Sequence, residues 1–249
     1  MFSDLDGTLL DHDGYSFTPA KPALTALAEK GIALVPATSK TLAELDVLMG
    51  ALGLDGAAIG ENGAVIKFAD GTIDRAVSRA EIAPALADMP EALRHAMQCF
   101  CDMSVDEIAA LTGLERAAAA LAAKREASEP FLWHGDAAGL ADLELALTAY
   151  GLQVTQGGRF FHIVPPRDKA AAMQIMLDTY KPRPEAWALG DGPNDVTMLL
   201  AADRAALIAN HHIATEKLLP HGHGLHLTNR EGALGWRDAM AVFLKRDFG

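Results

Sequence analysis

The hydrophobic positions of the first 77 residues change period again and again. "KPALTALAEKG" (21–31) has helical spacing, with Pro22 in its first turn and a stop at Gly31. "IALVPA" (32–37) is a short apolar run with a β-branched residue, and predicts a buried strand. "SKTLAELDVLMGALG" (39–53) places Leu42, Leu45, Leu48, Met49 and Leu52 on one helical face. "AAIG" (57–60) predicts a further strand. "AVIKF-ADG-TIDRAV" (64–77) predicts a hairpin that turns at Asp70-Gly71. Strand and helix in alternation are the signature of a parallel sheet covered by helices.

The pattern then breaks. Residues 78–128 are rich in alanine and predict mostly helix, with capping boxes at Ser78/Glu81 and Ser104/Glu107. "PFLWH", a helical "DLELALTAYG" and the runs "LQVTQ" and "RFFHIV" follow, the last two able to pair antiparallel across Gly157-Gly158. From about residue 165 the alternation returns: helix in "DKAAAMQIMLDTY", strand in "AWALG", helix in "NDVTMLLAA", strand in "RAALIA", and helix in "EGALGWRDAMAVFLKR". The expected organisation is one α/β domain built from residues 1–76 and 165–249. An α+β domain, residues 77–164, is inserted into it.

Composition narrows the partners. The 249 residues carry 33 acidic and 21 basic side chains, a net charge of -12. This argues against a nucleic-acid or anionic-membrane surface but not against a small anion held by a few local cations. No run of 18 apolar residues predicts a membrane helix. No basic segment followed by an apolar one predicts a signal peptide, so a cytoplasmic location is expected. Cys99 and Cys101 have neither zinc nor redox spacing and are expected to be reduced thiols.

The candidate chemistry sits where strands end. In "SDLDGT", Asp4 and Asp6 are two apart, so an extended chain points both to one face. Gly7 allows a sharp turn and Thr8 adds a hydroxyl. Paired acids are tolerable with a divalent cation between them or with one protonated; the alternative is a solvated acidic turn. Only three residues precede Asp4, so the strand beneath it is expected to be short and its support less rigid. "GDGPND" brings Asp191, Asn194 and Asp195 to the end of "AWAL", an all-oxygen set of the kind Mg²⁺ prefers. Thr38 and Ser39 follow "IALVPA" at a helix start, either as an anion site or as a simple cap. Lys169 opens a helix, where its charge opposes the dipole unless an anion lies beside it. Trp133 reads as core. The histidines of "NHH" and "HGHGLH" fit no zinc spacing and read as structural or exposed.

The motif DxDGT at Asp4–Thr8, then Thr38, Lys169 and GDxxND from Gly190 to Asp195, resembles the haloacid dehalogenase superfamily of phosphotransferases in both order and spacing. The resemblance spans essentially the whole chain. The position of the insert, and "ENGAVI" at 61–66, resemble the Cof-like branch with a C2-type (C2B) cap. "TSKT" in place of the usual Thr-Gly-Arg, with "LLDHDGYSF", "REASEPFLW", "GGRFFHI" and "GDGPNDVTML", looks like the mannosyl-3-phosphoglycerate phosphatases.

This resemblance implies a Rossmann-like core with helices on both faces of a parallel sheet, a specificity cap, and Mg²⁺-dependent hydrolysis of an anionic sugar phosphate. It implies Asp4 as nucleophile, Asp6 as acid and base, and Thr38 and Lys169 as phosphate ligands. Mg²⁺ would sit on Asp4, the Asp6 carbonyl and Asp191, with Asp195 binding directly or through water. Thr8 and Asn194 would orient loops, with Asn194 near the substrate. For a glyceryl carboxylate the candidates are Lys40, Arg125 and Arg159, and for sugar hydroxyls Glu129 and His162. Glucosyl-3-phosphoglycerate, sucrose phosphate and hexose phosphates are alternative substrates. A phosphomutase and a catalytically silent binding protein are alternative functions.

Overall fold

A computed structural model describes residues 1–12, 14–157, 160–212 and 224–248. The first part of the chain runs β1 (Phe2–Ser3), α1 (Lys21–Glu29), β2 (Val35–Pro36), α2 (Leu42–Leu52), β3 (Ala58–Gly60), β4 (Val65–Lys67) and β5 (Ile73–Arg75). The middle runs α3 (Arg79–Ala87), α4 (Glu91–His95), β6 (Met97–Cys99), α5 (Val105–Thr112), α6 (Arg116–Ala122), β7 (Glu129–Trp133), α7 (Ala137–Thr148), β8 (Gln153–Gly157) and β9 (Phe160–Val164). The last part runs α8 (Lys169–Leu177), β10 (Trp187–Gly190), α9 (Val196–Ala201), β11 (Arg204–Ala209), β12 (His226–Glu231) and α10 (Gly232–Leu244).

β12-β11-β10-β1-β2 form a five-stranded parallel sheet, and a bridge from Ala37 to Ile59 joins it to the antiparallel β3-β4-β5. One face packs Leu9, Leu27, Leu45, Trp236 and Phe243 from the α1, α2 and α10 side. The other packs Met173, Met176, Met198 and Leu199 of α8 and α9 against Phe2, Val35 and Leu207. The expected α/β fold with helices on both faces is therefore present.

β1 has only two residues, as its approach predicts, yet it is held firmly. It pairs with β10 on one side and β2 on the other, and the Asp4 amide donates to the Leu189 carbonyl at 2.9 Å. The buried Trp236 indole donates to Ser3 Oγ at 3.0 Å, and Ser3 Oγ donates to the Asp4 carbonyl at 2.7 Å. The short strand thus has a partner on each side and a side-chain brace from α10.

The antiparallel sheet β6-β7-β9-β8 has its own core, in which Ile82, Phe131, Leu143, Leu147 and Ile163 meet. Two strands depart from the sequence expectations. β6 lies inside the alanine-rich stretch expected to be helical; its three residues alternate buried, exposed, buried, a period too short to stand out. β12 is an edge strand with only Thr228 buried, so it carries no apolar run.

The turn after β3 ties the two sheets together. Glu61 and Asn62 take positive φ, 51° and 58°. The buried Glu61 carboxylate accepts from the Glu126 amide (2.7 Å), the Ala127 amide (3.1 Å) and Ser128 Oγ (2.5 Å), just before β7. Gly63 follows at φ 103°, where any Cβ would collide with the Asp168 carbonyl. A side chain there would push away the start of α8.

His162 of β9 is buried opposite Pro130 and Thr155. Burial first, and then the Arg125 charge, push its pKa from 6.5 down to about 3. The folded protein therefore holds a neutral ring that the unfolded chain protonates below pH 6.5. Stability is lost as pH falls from there towards 3, by a few kcal/mol in total. His162→Gln removes this part of the acid limb: between pH 7 and 4 its urea midpoint should fall less than that of the wild type.

Candidate active site

Parallel strands end at one edge of the sheet, and the acids of the two motifs follow those ends. Asp4 follows β1 and Asp191 follows β10, while Lys169 opens α8 behind Asp168, whose carboxylate accepts from the Ala171 amide at 2.8 Å. Lys169 Nζ donates to Asp4 Oδ1 at 2.8 Å and to Asp195 Oδ1 at 2.7 Å. All three side chains are buried. Burial works against the ammonium, but Asp195 and Asp4 outweigh it and hold Lys169 above its ordinary pKa. Asp4 is pushed well above the usual carboxylate range, first by burial and then by Asp195 and Asp191 against the pull of Lys169. Asp195 is raised by burial too, with Asp191 adding to it and Lys169 opposing.

Backbone and hydroxyl donors fix the other two acids. Asp195 Oδ2 accepts from the amides of Asp191 (3.1 Å) and Gly192 (3.0 Å). Asp191 accepts from Thr8 Oγ1 at 2.7 Å and from Asn210 Nδ2 at 2.6 Å, with His12 Nε2 at 3.5 Å. The hydrogen bond to Asp191, though opposed by partial burial, raises the His12 pKa. Gly7, at φ 75°, lets the turn lie against Asp191 and His12; a Cβ would strike both.

The donor set fits a hard divalent cation. Asp4, Asp191 and Asp195 offer carboxylate oxygens within 4.8 Å of one another, all buried. Three carboxylates against one ammonium leave two negative charges unbalanced, and Asp195 and Asp191 add to the burial that raises Asp4. Both oxygens of Asp195 and of Asp191 already accept protein donors, whereas only one Asp4 oxygen meets Lys169. Oxygen-only coordination with retained waters is the preference of Mg²⁺.

A cavity of about 940 Å³ opens above these groups, with Asp4, Asp6, Ser39 and Asn194 on one side and Gln153, Thr155 and Gln156 of β8 on the other. Asn194 Nδ2 donates to Asn62 Oδ1 at 3.1 Å, so it binds the GDxxND loop to the turn after β3. Thr38 is buried beneath Ser39 and accepts from the Lys40 amide at 3.3 Å.

Several expected substrate contacts have other employment. Lys40 Nζ pairs with Asp6 Oδ2 at 2.7 Å rather than facing the cavity as a free cation. Burial opposes its charge, but Asp6 outweighs that and raises the lysine pKa. Arg125 donates to the carbonyls of Ser39 (2.6 Å) and Ala122 (3.1 Å). Glu129 is buried against Arg79 (2.9 Å) and the Cys101 amide (2.7 Å), away from the cavity. His162 is held neutral in the second sheet. Arg159 lies outside the described residues.

His12, Asn62, Gln153, Thr155, Arg167 and Asn210 line the cavity without having been singled out in the sequence. Asn210 had a signal: it follows the apolar β11 as Asp191 follows β10. Gln153 and Thr155 had none, because polar residues on one strand face also mark a solvated sheet.

Binding of Mg²⁺ should raise the thermal midpoint, since a ligand at a hundred times its dissociation constant adds about 2.7 kcal/mol. For a chain of this size that is roughly 5–10 °C. The shift should disappear in Asp191→Asn, read by differential scanning fluorimetry with and without EDTA.

Residues 1–113 match the family of haloacid dehalogenase-like hydrolases. Solved structures resemble the whole chain. A haloacid dehalogenase-like hydrolase from Bacteroides thetaiotaomicron is 20% identical, with 97% of this chain and 98% of that one covered at a TM-score of 0.72. The sucrose-phosphatase of Synechocystis sp. PCC6803, solved with sucrose and phosphate, is 19% identical, with 97% and 96% covered at 0.69. The subclass IIB sugar phosphatase BT4131 is 17% identical, with 97% of each chain covered at 0.70. At these identities the likeness is one of fold. Over its first 113 residues the chain thus matches the haloacid dehalogenase-like hydrolases, and over nearly its whole length it has the fold of their solved members.

Proposed function

We propose that this protein is a Mg²⁺-dependent phosphatase acting on a phosphorylated sugar derivative, with mannosyl-3-phosphoglycerate as the specific candidate. The observation that carries the reading is the convergence of Asp4, Asp191, Asp195 and Lys169, with Asp4, Asp6 and Asp191 lining one cavity. Two solved relatives of similar fold are sugar phosphatases. The neutral donors and acceptors of Gln153, Thr155 and Gln156 suit sugar hydroxyls. "TSKT" and the other motifs shared with mannosyl-3-phosphoglycerate phosphatases supply the finer choice. Residues 77–164 serve in this reading as the cap that encloses the leaving group.

Phosphate monoesters resist hydrolysis strongly, and two easier steps replace one hard one. Asp4 attacks phosphorus and becomes an aspartyl-phosphate as the ester P–O bond breaks. Asp6 gives the leaving oxygen its proton, then takes one from the water that attacks the aspartyl-phosphate, which returns both residues to their starting states. Lys169, already beside Asp4, and the loop at Thr38 and Ser39 meet the equatorial phosphate oxygens, where charge spreads in the transition state. Asp4, Asp191 and the Asp6 carbonyl would hold Mg²⁺, which would supply the charge that lets an anionic nucleophile approach an anionic ester.

Asp4→Asn should lower phosphate release by more than about a thousandfold while the circular dichroism spectrum is unchanged. Substantial turnover in that variant would sink the nucleophile assignment. A Mg²⁺ panel of mannosyl-3-phosphoglycerate, its glucosyl analogue, 3-phosphoglycerate, sucrose 6-phosphate and hexose phosphates tests the substrate. The mannosyl compound should show the highest kcat/KM; a higher value for sucrose 6-phosphate or a hexose phosphate would replace the finer reading and keep the coarser one.

A further inference from the structure

We propose that Glu61 is a positioning residue for the substrate cavity: its carboxylate, standing on the core, fixes the β6-β7-β9-β8 sheet so that β8 faces the acids at a set distance. The inference rests on the phosphatase reading above and adds to it a residue outside the cavity wall.

Glu61 stands in the turn "ENG" at φ 51°, a left-handed conformation that residues other than glycine rarely adopt. Its amide donates to the Lys40 carbonyl at 2.9 Å, and the Asn62 amide donates to the Thr38 carbonyl at 2.9 Å. The turn is thus seated on the loop that carries Thr38 and Ser39. Its side chain is 1% exposed and does not line the cavity. Oε1 accepts from the Glu126 amide, and Oε2 accepts from the Ala127 amide and Ser128 Oγ. A buried carboxylate is costly unless its oxygens find donors, and all three donors here come from the stretch just before β7. A strained backbone persists where its surroundings over-determine it, and here it aims one side chain across to another sheet.

The path from this carboxylate to the cavity is short. Glu129 begins β7 and pairs with Ile163 of β9, which pairs with Val154 of β8. Val154 lies between Gln153 and Thr155, both of which line the cavity. Glu61 therefore acts two strand spacings, about 10 Å, from the wall opposite Asp4. Hydrogen-bonded strands shift as a unit, so a tilt at the foot of β7 moves β8. Two other bonds hold the preceding residues to the core: Thr41 Oγ1 donates to the Leu121 carbonyl at 3.0 Å, and Arg125 to the Ser39 carbonyl at 2.6 Å. Neither meets residues 126–128. Glutamine at position 61 would keep the volume, but in either orientation its NH₂ would oppose a backbone N–H, that of Glu126 or that of Ala127.

Two measurements test this. The first needs no turnover. Spin labels at Val47→Cys in α2 and Leu145→Cys in α7, both exposed positions, report the distance between core and second sheet in a Cys101→Ser background. Glu61→Gln should shift or broaden the distribution read by double electron–electron resonance, and Ser128→Ala should do so to a smaller degree. An unchanged distribution in Glu61→Gln would overturn the proposal. The second compares kcat/KM for the most rapidly hydrolysed sugar phosphate of the panel with that for acetyl phosphate, whose leaving group has only two carbons. Glu61→Gln should lose at least about tenfold more on the sugar phosphate, mostly in KM, within the ~100-fold that a misplacement of ~1 Å can cost. Ser128→Ala, which removes one donor and leaves the turn intact, should show the same preference more weakly, and it carries the test if Glu61→Gln folds poorly. Equal losses on both substrates would overturn the proposal, because they would mean damage to the loop at Thr38 rather than to the wall at β8. If the label distance responds but wild type turns over no member of the panel, or Asp4→Asn stays active, it is the phosphatase reading that fails.

Discussion

The structure depends on keeping three carboxylates and one ammonium together at the nearly buried base of the cavity. Lys169 lies between Asp4 and Asp195, with Asp191 close behind, and none of the four is exposed enough to be solvated freely. In such a place each charge is stable only through its neighbours. The lysine keeps its charge because two acids face it, while burial first, with neighbouring carboxylates adding to it, raises Asp4 and Asp195 against the pull of that ammonium. Such a buried, oxygen-rich set suits a hard cation.

Much of the surrounding fold is explained by the need to bring those groups from distant parts of the chain. Asp4 and Asp195 are 191 residues apart, and adjacent parallel strands β1 and β10 deliver them to one edge. Gly7 and Gly63 stand where a side chain would separate the pieces, at Asp191 in one case and at the start of α8 in the other. The two residues of β1 suffice because the strand is paired on both sides and capped below by Trp236 and Ser3. The turn at Glu61 binds the second sheet to this frame through three donors on one carboxylate. Arg125 closes a second link at Ser39.

The acids of the candidate site were legible in the sequence because their spacing is local. DxDGT needs an i, i+2 pair before a glycine, and GDxxND needs an acid after an apolar strand and another four residues on. The parallel sheet was legible for a similar reason: buried strands and amphipathic helices leave different periods. Polar β12 and three-residue β6 left no such period, so neither strand was foreseen.

Charge alone could not say which cation meets which acid. Lys40, Arg125, Glu129 and His162 have the right chemistry for substrate contacts in isolation. Folding gives Lys40 to Asp6, Arg125 to two carbonyls, Glu129 to Arg79, and His162 to a buried strand. Side-chain pairing across 34 to 86 residues of sequence depends on which loops the sheets bring face to face, and no short motif encodes that. The chain's residues and their spacing determine the fold class, the carboxylate pair and the oxygen-rich set that suits a metal. Tertiary structure decides which charges are paired inside the protein and which side chains line the cavity.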